Sequence, residues 1–252
     1  MSGALPTTPA VPEGYLGVWQ RTLLETPTLR DDTTFVRWLQ TPHWHADLRV
    51  AASVPRDPAR HQGFAGSTEV ETSGHGEVCH WHREVDLQPP GPNPDAGWMV
   101  FETTERAIET GVHGVYREVW ERLPASIGAS IALGRTERGG VFQERLLLAG
   151  HCLMRLRARA ARWPALVAGD TLADVCARHP AEAAALLDFE ISFGHLVAGQ
   201  WTIERSSMPA LEGQRIGVVI ERDSTTEAQV RMDSDTGAWT IVDWEGAPQG
   251  IG

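Results

Sequence analysis

Short runs of alternating apolar and polar residues recur along most of the chain. The runs from Leu16 to Thr26 and from Thr33 to Gln40 are rich in β-branched and aromatic residues, which are typical of strands. Clusters of Gly, Pro and Asp separate such runs, most clearly in the segment 88–97, and indicate turns. Strands this short and this regularly spaced predict an antiparallel barrel or sandwich.

The strand pattern divides into two parts around Pro124. Further strands of the first part are predicted at 45–50, 66–71, 77–87, 98–103, 107–110 and 115–123. Those of the second part are predicted at 129–133, 141–148, 151–157, 190–195, 199–204, 215–221, 227–232 and 238–243. Because a single core stops growing efficiently near 250 residues, a chain of 252 residues favours two units. We therefore predict a flexible tail at 1–12, a first barrel at 13–124 and a second barrel-like domain at 125–252.

The second part also carries a helical signal. Thr171 can cap a helix from Leu172 to Arg178, and Pro180 suits the first turn of another helix that ends at Phe189. The predicted fold class is therefore mostly β, with two antiparallel barrel or sandwich units and a short helical insertion near 171–189.

Charge and composition narrow the classes of partner. All 22 basic residues are Arg, and the formal net charge of −11 disfavours nucleic acid and anionic membrane surfaces. The sequence shows neither a signal-peptide pattern nor an apolar run of membrane-spanning length, so we expect no membrane insertion and a cytoplasmic location. Cys79, Cys152 and Cys176 are odd in number and widely spaced, which predicts buried thiols and no disulfide framework.

Two short motifs resemble a known family. The Gly-x-Trp motif at Gly17 to Trp19 is similar to the signature that lipocalins and their calycin relatives place at the closed end of the barrel. Glu109-Thr-Gly111, followed by Tyr116-Arg-Glu-Val-Trp120 and Pro124, resembles a segment of a fungal and bacterial family of paired lipocalin-like barrels. The resemblance implies two lipocalin-like domains and a hydrophobic ligand, and it carries over no catalytic residue. The predicted helices depart from it.

The chain contains ten Trp residues, six of them in the first part. Large aromatic side chains fill β-barrel cores, and they also line pockets for flat apolar ligands, where an indole N–H can orient a polar group. Core packing is the commoner explanation. If a ligand cavity exists, we expect the following residues to line it: Trp19, Trp38, Trp98, Trp120 and Arg117.

Two His-x-His pairs are the sharpest local signal for metal chemistry. His43 and His45, and likewise His80 and His82, would share one face of a strand, where neutral imidazoles can bind zinc or iron. The alternative is a solvated polar stripe, because Cys79 and Trp81 would face the core. We expect the second arrangement, with no zinc, iron or haem bound.

Three functions remain open at this stage. The first is non-enzymatic binding of a small hydrophobic or aromatic molecule, the second is a metal- or haem-dependent enzyme that uses the His pairs, and the third is a protein-interaction scaffold. The sequence has no Gly-x-Ser-x-Gly nucleophile motif and no phosphate-binding loop, so no catalytic residue is assigned. A homodimer is also left open.

Overall fold

The chain folds into two closed antiparallel β-barrels. The computed structural model describes residues 8–52, 56–136, 142–233 and 235–246. Within these residues each barrel has eight strands, and the few helices are short. The prediction of a mostly β fold with two barrel units is confirmed. No helix in the described ranges is long and apolar enough to cross a membrane.

The first barrel is a meander closed by pairing of its first and last strands. Its strands are β1 (Gly17–Glu25), β3 (Phe35–Gln40), β4 (Trp44–Val50), β5 (Gln62–Ser73), β6 (Gly76–Asp86), β7 (Asp95–Thr103), β8 (Arg106–Gly111) and β9 (Arg117–Arg122). A two-residue strand, β2 (Arg30–Asp31), pairs with the end of β1 outside this ring. A 3₁₀ turn at Glu13–Tyr15 precedes β1.

The second barrel closes in the same way. Its strands are β10 (Ser130–Arg135), β11 (Glu144–Ala149), β12 (Cys152–Arg157), β13 (Glu190–Val197), β14 (Gln200–Ser206), β15 (Arg215–Arg222), β16 (Glu227–Met232) and β17 (Asp235–Glu245). Helices α1 (Leu172–Arg178) and α2 (Ala183–Leu187) lie between β12 and β13. The helical insertion is therefore confirmed, and Thr171 caps α1 in a reciprocal arrangement with Asp174. The second helix is shorter than the predicted 181–189, because Pro180 lies in a turn before α2 begins.

Strand β4 shows how one sequence pattern serves two cores. Trp44, Ala46 and Leu48 point out of the first barrel into a core shared with the second barrel. The alternate residues Asp47 and Arg49 point into the lumen of the first barrel. Both faces of β4 are consequently buried, whereas an antiparallel strand commonly has one face exposed to solvent.

The shared core joins the two barrels. It includes Leu39 and Ala65 from the first barrel, and Leu147, Met154 and Phe193 from the second. The backbones approach closely there: a Cβ atom added to Gly63 on β5 would lie 2.4 Å from Cγ2 of Ile191 on β13. The absence of a side chain at Gly63 thus permits this contact.

Charged residues are also buried at this contact. The guanidinium of Arg145 on β11 lies 4.2 Å from the ring centre of Trp44 and donates to Glu84 Oε2 at 2.5 Å. Asp243 on β17 accepts hydrogen bonds from Thr41 Oγ1 at 2.6 Å and from the backbone N–H of His43 at 3.1 Å. The second barrel therefore fixes the β3–β4 turn of the first.

The proposed junction lies in a 3₁₀ turn, Pro124–Ser126, between β9 and β10. Of the predicted tail, residues 1–7 lie outside the described ranges. Val11 is buried, and its N–H donates to the carbonyl oxygen of Pro42 at 2.8 Å. The chain is therefore packed against the first barrel before β1 begins.

Candidate functional site

Aromatic side chains fill one part of the lumen of the first barrel and are called the aromatic floor here. Trp19 is fully buried, stacks on Trp38 with ring centres 6.3 Å apart, and donates its indole N–H to the carbonyl oxygen of Tyr15 at 2.8 Å. Phe101 packs edge-on against Tyr15 and Trp19. The Arg122 guanidinium, 4.8 Å from the Trp19 ring, covers this floor from the last strand.

The opposite half of the same lumen is charged. Arg21 donates to Glu118 at 2.7 Å and to Asp31 at 3.1 Å, and its side chain is almost fully buried. Arg49 donates to Asp47 at 2.8 Å. The second barrel differs, because its interior is filled by apolar side chains such as Leu133, Leu148, Ile203, Val218 and Trp239.

Glu109 is the most unusual group in the charged half. Its side chain lies in the lumen directly across from Glu118 on the neighbouring strand, and only 5% of the residue is exposed. Its carboxyl oxygens accept hydrogen bonds from Tyr116 Oη at 2.6 Å and Trp120 Nε1 at 3.0 Å. Burial, followed by repulsion from Glu118, raises the pKa of Glu109 to about 8.

A glycine makes room for this carboxyl group. A Cβ atom added to Gly97 on β7 would lie 2.6 Å from both Cγ and Oε1 of Glu109. That separation is below any real Cβ contact, so Glu109 can occupy its position only because residue 97 has no side chain.

A small cavity remains between the aromatic floor and the charged half. It has a volume of about 10 Å³, which is room for one water molecule. The cavity is lined by Trp38, Asp47, Arg49, Phe64, Trp81, Asp95, Glu109 and Trp120. Indole rings and carboxyl groups thus meet at a single water-sized space.

The barrel wall is incomplete beside this cavity. Strand β6 pairs with β7 only from Glu77 to Trp81, and its remaining residues pair with β5 alone. The loop 87–94 stands where the partner strand would continue. Gln88 fixes this loop, because its side chain donates to the carbonyl oxygen of His61 at 2.6 Å and accepts from the N–H of Leu172 in α1 at 2.9 Å.

A groove of about 710 Å³ runs along this gap in the wall. Trp81 and Asp95 line both the groove and the lumen cavity, and Trp163 reaches the groove from the segment between β12 and α1. Arg83 crosses the gap: it donates to Asp95 at 2.7 Å and lies 3.5 Å from the ring centre of Phe64. The second barrel therefore contributes one side of an opening into the first.

The predicted ligand residues occupy different places. Trp38 and Trp120 line the lumen cavity, whereas Trp19 belongs to the floor beneath it. Trp98 alternates with inward-facing neighbours and lies on the outer wall, where it pairs with Val78. Arg117 is also on the outer wall, 3.3 Å from Glu25.

The four histidines considered as metal ligands lie in different parts of the fold. His45 is fully buried inside the lumen with Nδ1 3.0 Å from Thr68 Oγ1, and burial, followed by the nearby Arg145, lowers its pKa. His43 lies in the β3–β4 turn with Nδ1 2.5 Å from Asp243 Oδ1.

His80 and His82 are on the outer wall. Their nearest carboxylates are Glu71 at 3.8 Å and Glu69 at 3.3 Å. Both histidines line the groove. Over the described ranges, no three His, Cys, Asp or Glu side chains are placed to hold a metal ion together.

Reactive residue types also meet on the outer face of the second barrel. Cys152 Sγ lies 3.8 Å from His195 Nδ1, and His195 Nε2 lies 3.6 Å from Glu204. Cys152 is fully buried in the shared core. A nucleophilic cysteine requires access to its substrate, so this arrangement serves packing in the structure as it stands.

Sequence reasoning missed the charged lumen. Glu109 shares the inward face of β8 with Ala107, which is fully buried. That alternation was the available signal. The alternation with Ala107 predicts a buried position for Glu109, whereas carboxylates are usually expected on the solvent-exposed face of a strand.

Comparison with known proteins supports the fold. No protein-family model and no curated protein matches the chain. Among solved structures, the uncharacterized protein YLR301w from Saccharomyces cerevisiae is similar, with a TM-score of 0.59 and 11% sequence identity. The similarity covers 91% of this chain and 99% of the yeast chain. The double-barrel architecture is therefore shared with a solved structure.

Proposed function

We propose that the first barrel is a lipocalin-like binding domain that takes a small organic molecule through the opening between β6 and the loop 87–94. One observation carries the proposal: Trp81 and Asp95 line both the water-sized lumen cavity and the groove of about 710 Å³ outside it. The two spaces therefore adjoin at the gap in the wall.

The groove has the size and chemistry of a small-molecule site. Such sites usually measure about 300–1,000 Å³ and combine aromatic surface with a few polar groups. Here Trp81, Trp163, Pro90 and Pro94 supply apolar surface, and Asn93 is among the polar groups. The aromatic surfaces favour a ligand with a flat apolar part.

Arg83 supports the proposal as the side chain that closes the inner end of the groove. It is held by Asp95 on one side and by Asp86 at 3.1 Å on the other. Its side chain remains 31% exposed, so it can move into solvent at the loss of these ion pairs and of its contact with the Phe64 ring. A ligand that displaces Arg83 gains access to the indoles of the lumen.

The test is a fluorescence titration with the neutral apolar dye Nile red. We expect saturable binding of one dye, weakened about tenfold by Trp163→Ala, since loss of one aromatic contact corresponds to about 1.4 kcal/mol. Trp244→Ala, which removes a partly buried indole from the second barrel, is the matched control. Absence of saturable binding, or equal weakening by both variants, would refute the proposal.

A further inference from the structure

The charges around the lumen opening are unbalanced. The charged half and its rim contain more carboxyl groups than guanidinium groups. The carboxyl groups are those of Asp31, Asp47, Asp86, Asp95, Glu109 and Glu118, and the guanidinium groups are those of Arg21, Arg49 and Arg83. The five carboxyl groups other than Glu109 already outnumber these guanidinium groups, and a potential of this sign attracts cations and repels anions.

Each arginine is already engaged by other carboxylates. Arg21 binds Glu118, Arg49 binds Asp47, and Arg83 binds Asp95. Among the described residues, Glu109 makes no ion pair, and its two contacts are the neutral donors Tyr116 and Trp120. Glu109 is therefore the carboxyl group of this set that has no guanidinium partner among the described residues.

The cavity beside Glu109 fits the head of such a cation. Its volume of about 10 Å³ admits one water molecule, and an ammonium group is of similar size. The indoles of Trp38 and Trp120, with ring centres 5.7 Å apart, line the same space. Aromatic faces attract an ammonium ion, and more strongly when it is desolvated.

From this arrangement we infer that the ligand is a small organic cation with a primary ammonium group, which binds in the lumen cavity against Glu109 while its flat apolar part lies in the groove. The inference rests on the function proposed above and names its ligand class. A neutral or anionic molecule of the same shape would leave Glu109 without its cationic partner.

Binding should exchange a proton for the ligand. In the free protein Glu109 holds its proton at neutral pH, because burial raises its pKa to about 8. When the ammonium ion binds, the carboxyl proton leaves to the buffer and an N–H donates to the resulting carboxylate. Charge is conserved, since one cation enters as one proton departs.

Several groups face Glu109 and bear on this exchange. They are Glu118 on β9, Tyr116 before it, Arg49 on β4, Asp95 on β7, Cys79 on β6 and Tyr15 in the 3₁₀ turn. Asp86 at the rim also titrates near neutrality, since burial raises its pKa to about 6. Only a substitution of Glu109 itself isolates the contribution of its carboxyl group to the pH dependence of binding.

The experiment is isothermal titration calorimetry with three isosteric probes: benzylammonium, benzyl alcohol and benzoate. At pH 7, in two buffers of different ionisation enthalpy, we expect benzylammonium to bind at least about tenfold more tightly than benzyl alcohol or benzoate and to release close to one proton. Its affinity should rise about tenfold from pH 6 to pH 7 and level off above about pH 8. In Glu109→Gln both the proton release from residue 109 and its share of the pH dependence should vanish.

Each outcome has a definite meaning. If benzyl alcohol binds as tightly as benzylammonium and Trp163→Ala weakens both, the ligand site stands and the cation inference fails. If no probe binds and Nile red does not bind either, both proposals fail. Should Glu109→Gln not fold, the pH dependence of the wild-type protein decides, because an affinity that does not change between pH 6 and pH 8 excludes proton exchange.

Discussion

Replacing Glu109 by Gln should make the stability of the ligand-free protein less dependent on pH. The folded state raises the pKa of Glu109 from 4.5 to about 8, chiefly by burial. Between these two values the folded chain retains a proton that the unfolded chain releases. The wild-type protein must therefore lose stability as pH rises through this interval, and the loss ends once the folded carboxyl ionises.

The size of the effect follows from the same shift. Each pKa unit corresponds to about 1.36 kcal/mol, so the full interval amounts to at most about 5 kcal/mol. Gln has no proton to lose, so its stability relative to wild type should rise steadily from pH 5 to pH 8. A constant offset of about 1–3 kcal/mol against Gln is also expected, because its NH₂ group cannot accept from the Tyr116 hydroxyl or the Trp120 N–H.

Urea unfolding at several pH values, followed by circular dichroism, separates the slope from the offset. Glu121→Gln is the matched control, since Glu121 lies on the neighbouring strand β9 of the same barrel but its side chain is 53% exposed. The control should show no comparable slope. A difference between wild type and Glu109→Gln that stays constant from pH 5 to pH 9 would contradict a buried, protonated Glu109.

Three further predictions concern packing. Trp19→Ala should cost about 3–5 kcal/mol of unfolding free energy in denaturant melts, and Trp98→Ala on the outer wall should cost clearly less. Gly63→Ala should destabilise the folded chain by about 1–3 kcal/mol through its contact with Ile191, measured in the same melts. Asp243→Ala should lower the thermal midpoint by leaving the β3–β4 turn donors unpaired, and hydrogen exchange should show earlier opening of that turn.

The fold class could be predicted from the sequence because caps and turns are encoded by residues close together in the chain. Thr171 and Asp174 lie three residues apart, the spacing of a helix cap, and α1 begins where this spacing predicts. Likewise, the turn-rich segment 88–97 overlaps the connection 87–94 between β6 and β7, although its last three residues belong to β7. Neither feature depends on contacts between distant parts of the chain.

Strand β6 shows where local signals become insufficient. Strict alternation would place Val85 in the lumen with Trp81. One extra residue on β6, Glu84, lies between Arg83, which pairs with Gly66, and Val85, which pairs with Ala65. This bulge shifts the register, so Val85 packs on the shared core and Asp86 lies across from Phe64 at the lumen rim. Such a bulge moves the side chain of every later residue of the strand to the opposite face, and no turn or cap residue in the sequence indicates where it occurs.

The candidate site could not be predicted from the sequence for a related reason. His80 and His82 were singled out because they are two residues apart, whereas Glu109 and Glu118 meet only through pairing of β8 with β9. Trp163 joins the groove from the other barrel, a contact that spans more than sixty residues of chain from Asp95. Such sites depend on register and docking, which single-chain patterns do not encode.

The core shared by the two barrels has a consequence for how the chain can be divided. A fragment that stops at Pro124 would expose Leu39, Trp44 and Leu48 to water, and the complementary fragment would expose Met154 and Phe193. Apolar patches of this kind promote aggregation in a monomer. No strand of one barrel pairs with a strand of the other among the described residues, yet the two barrels should unfold together in one transition. Each half should be soluble only when both are expressed as one polypeptide or are mixed during refolding.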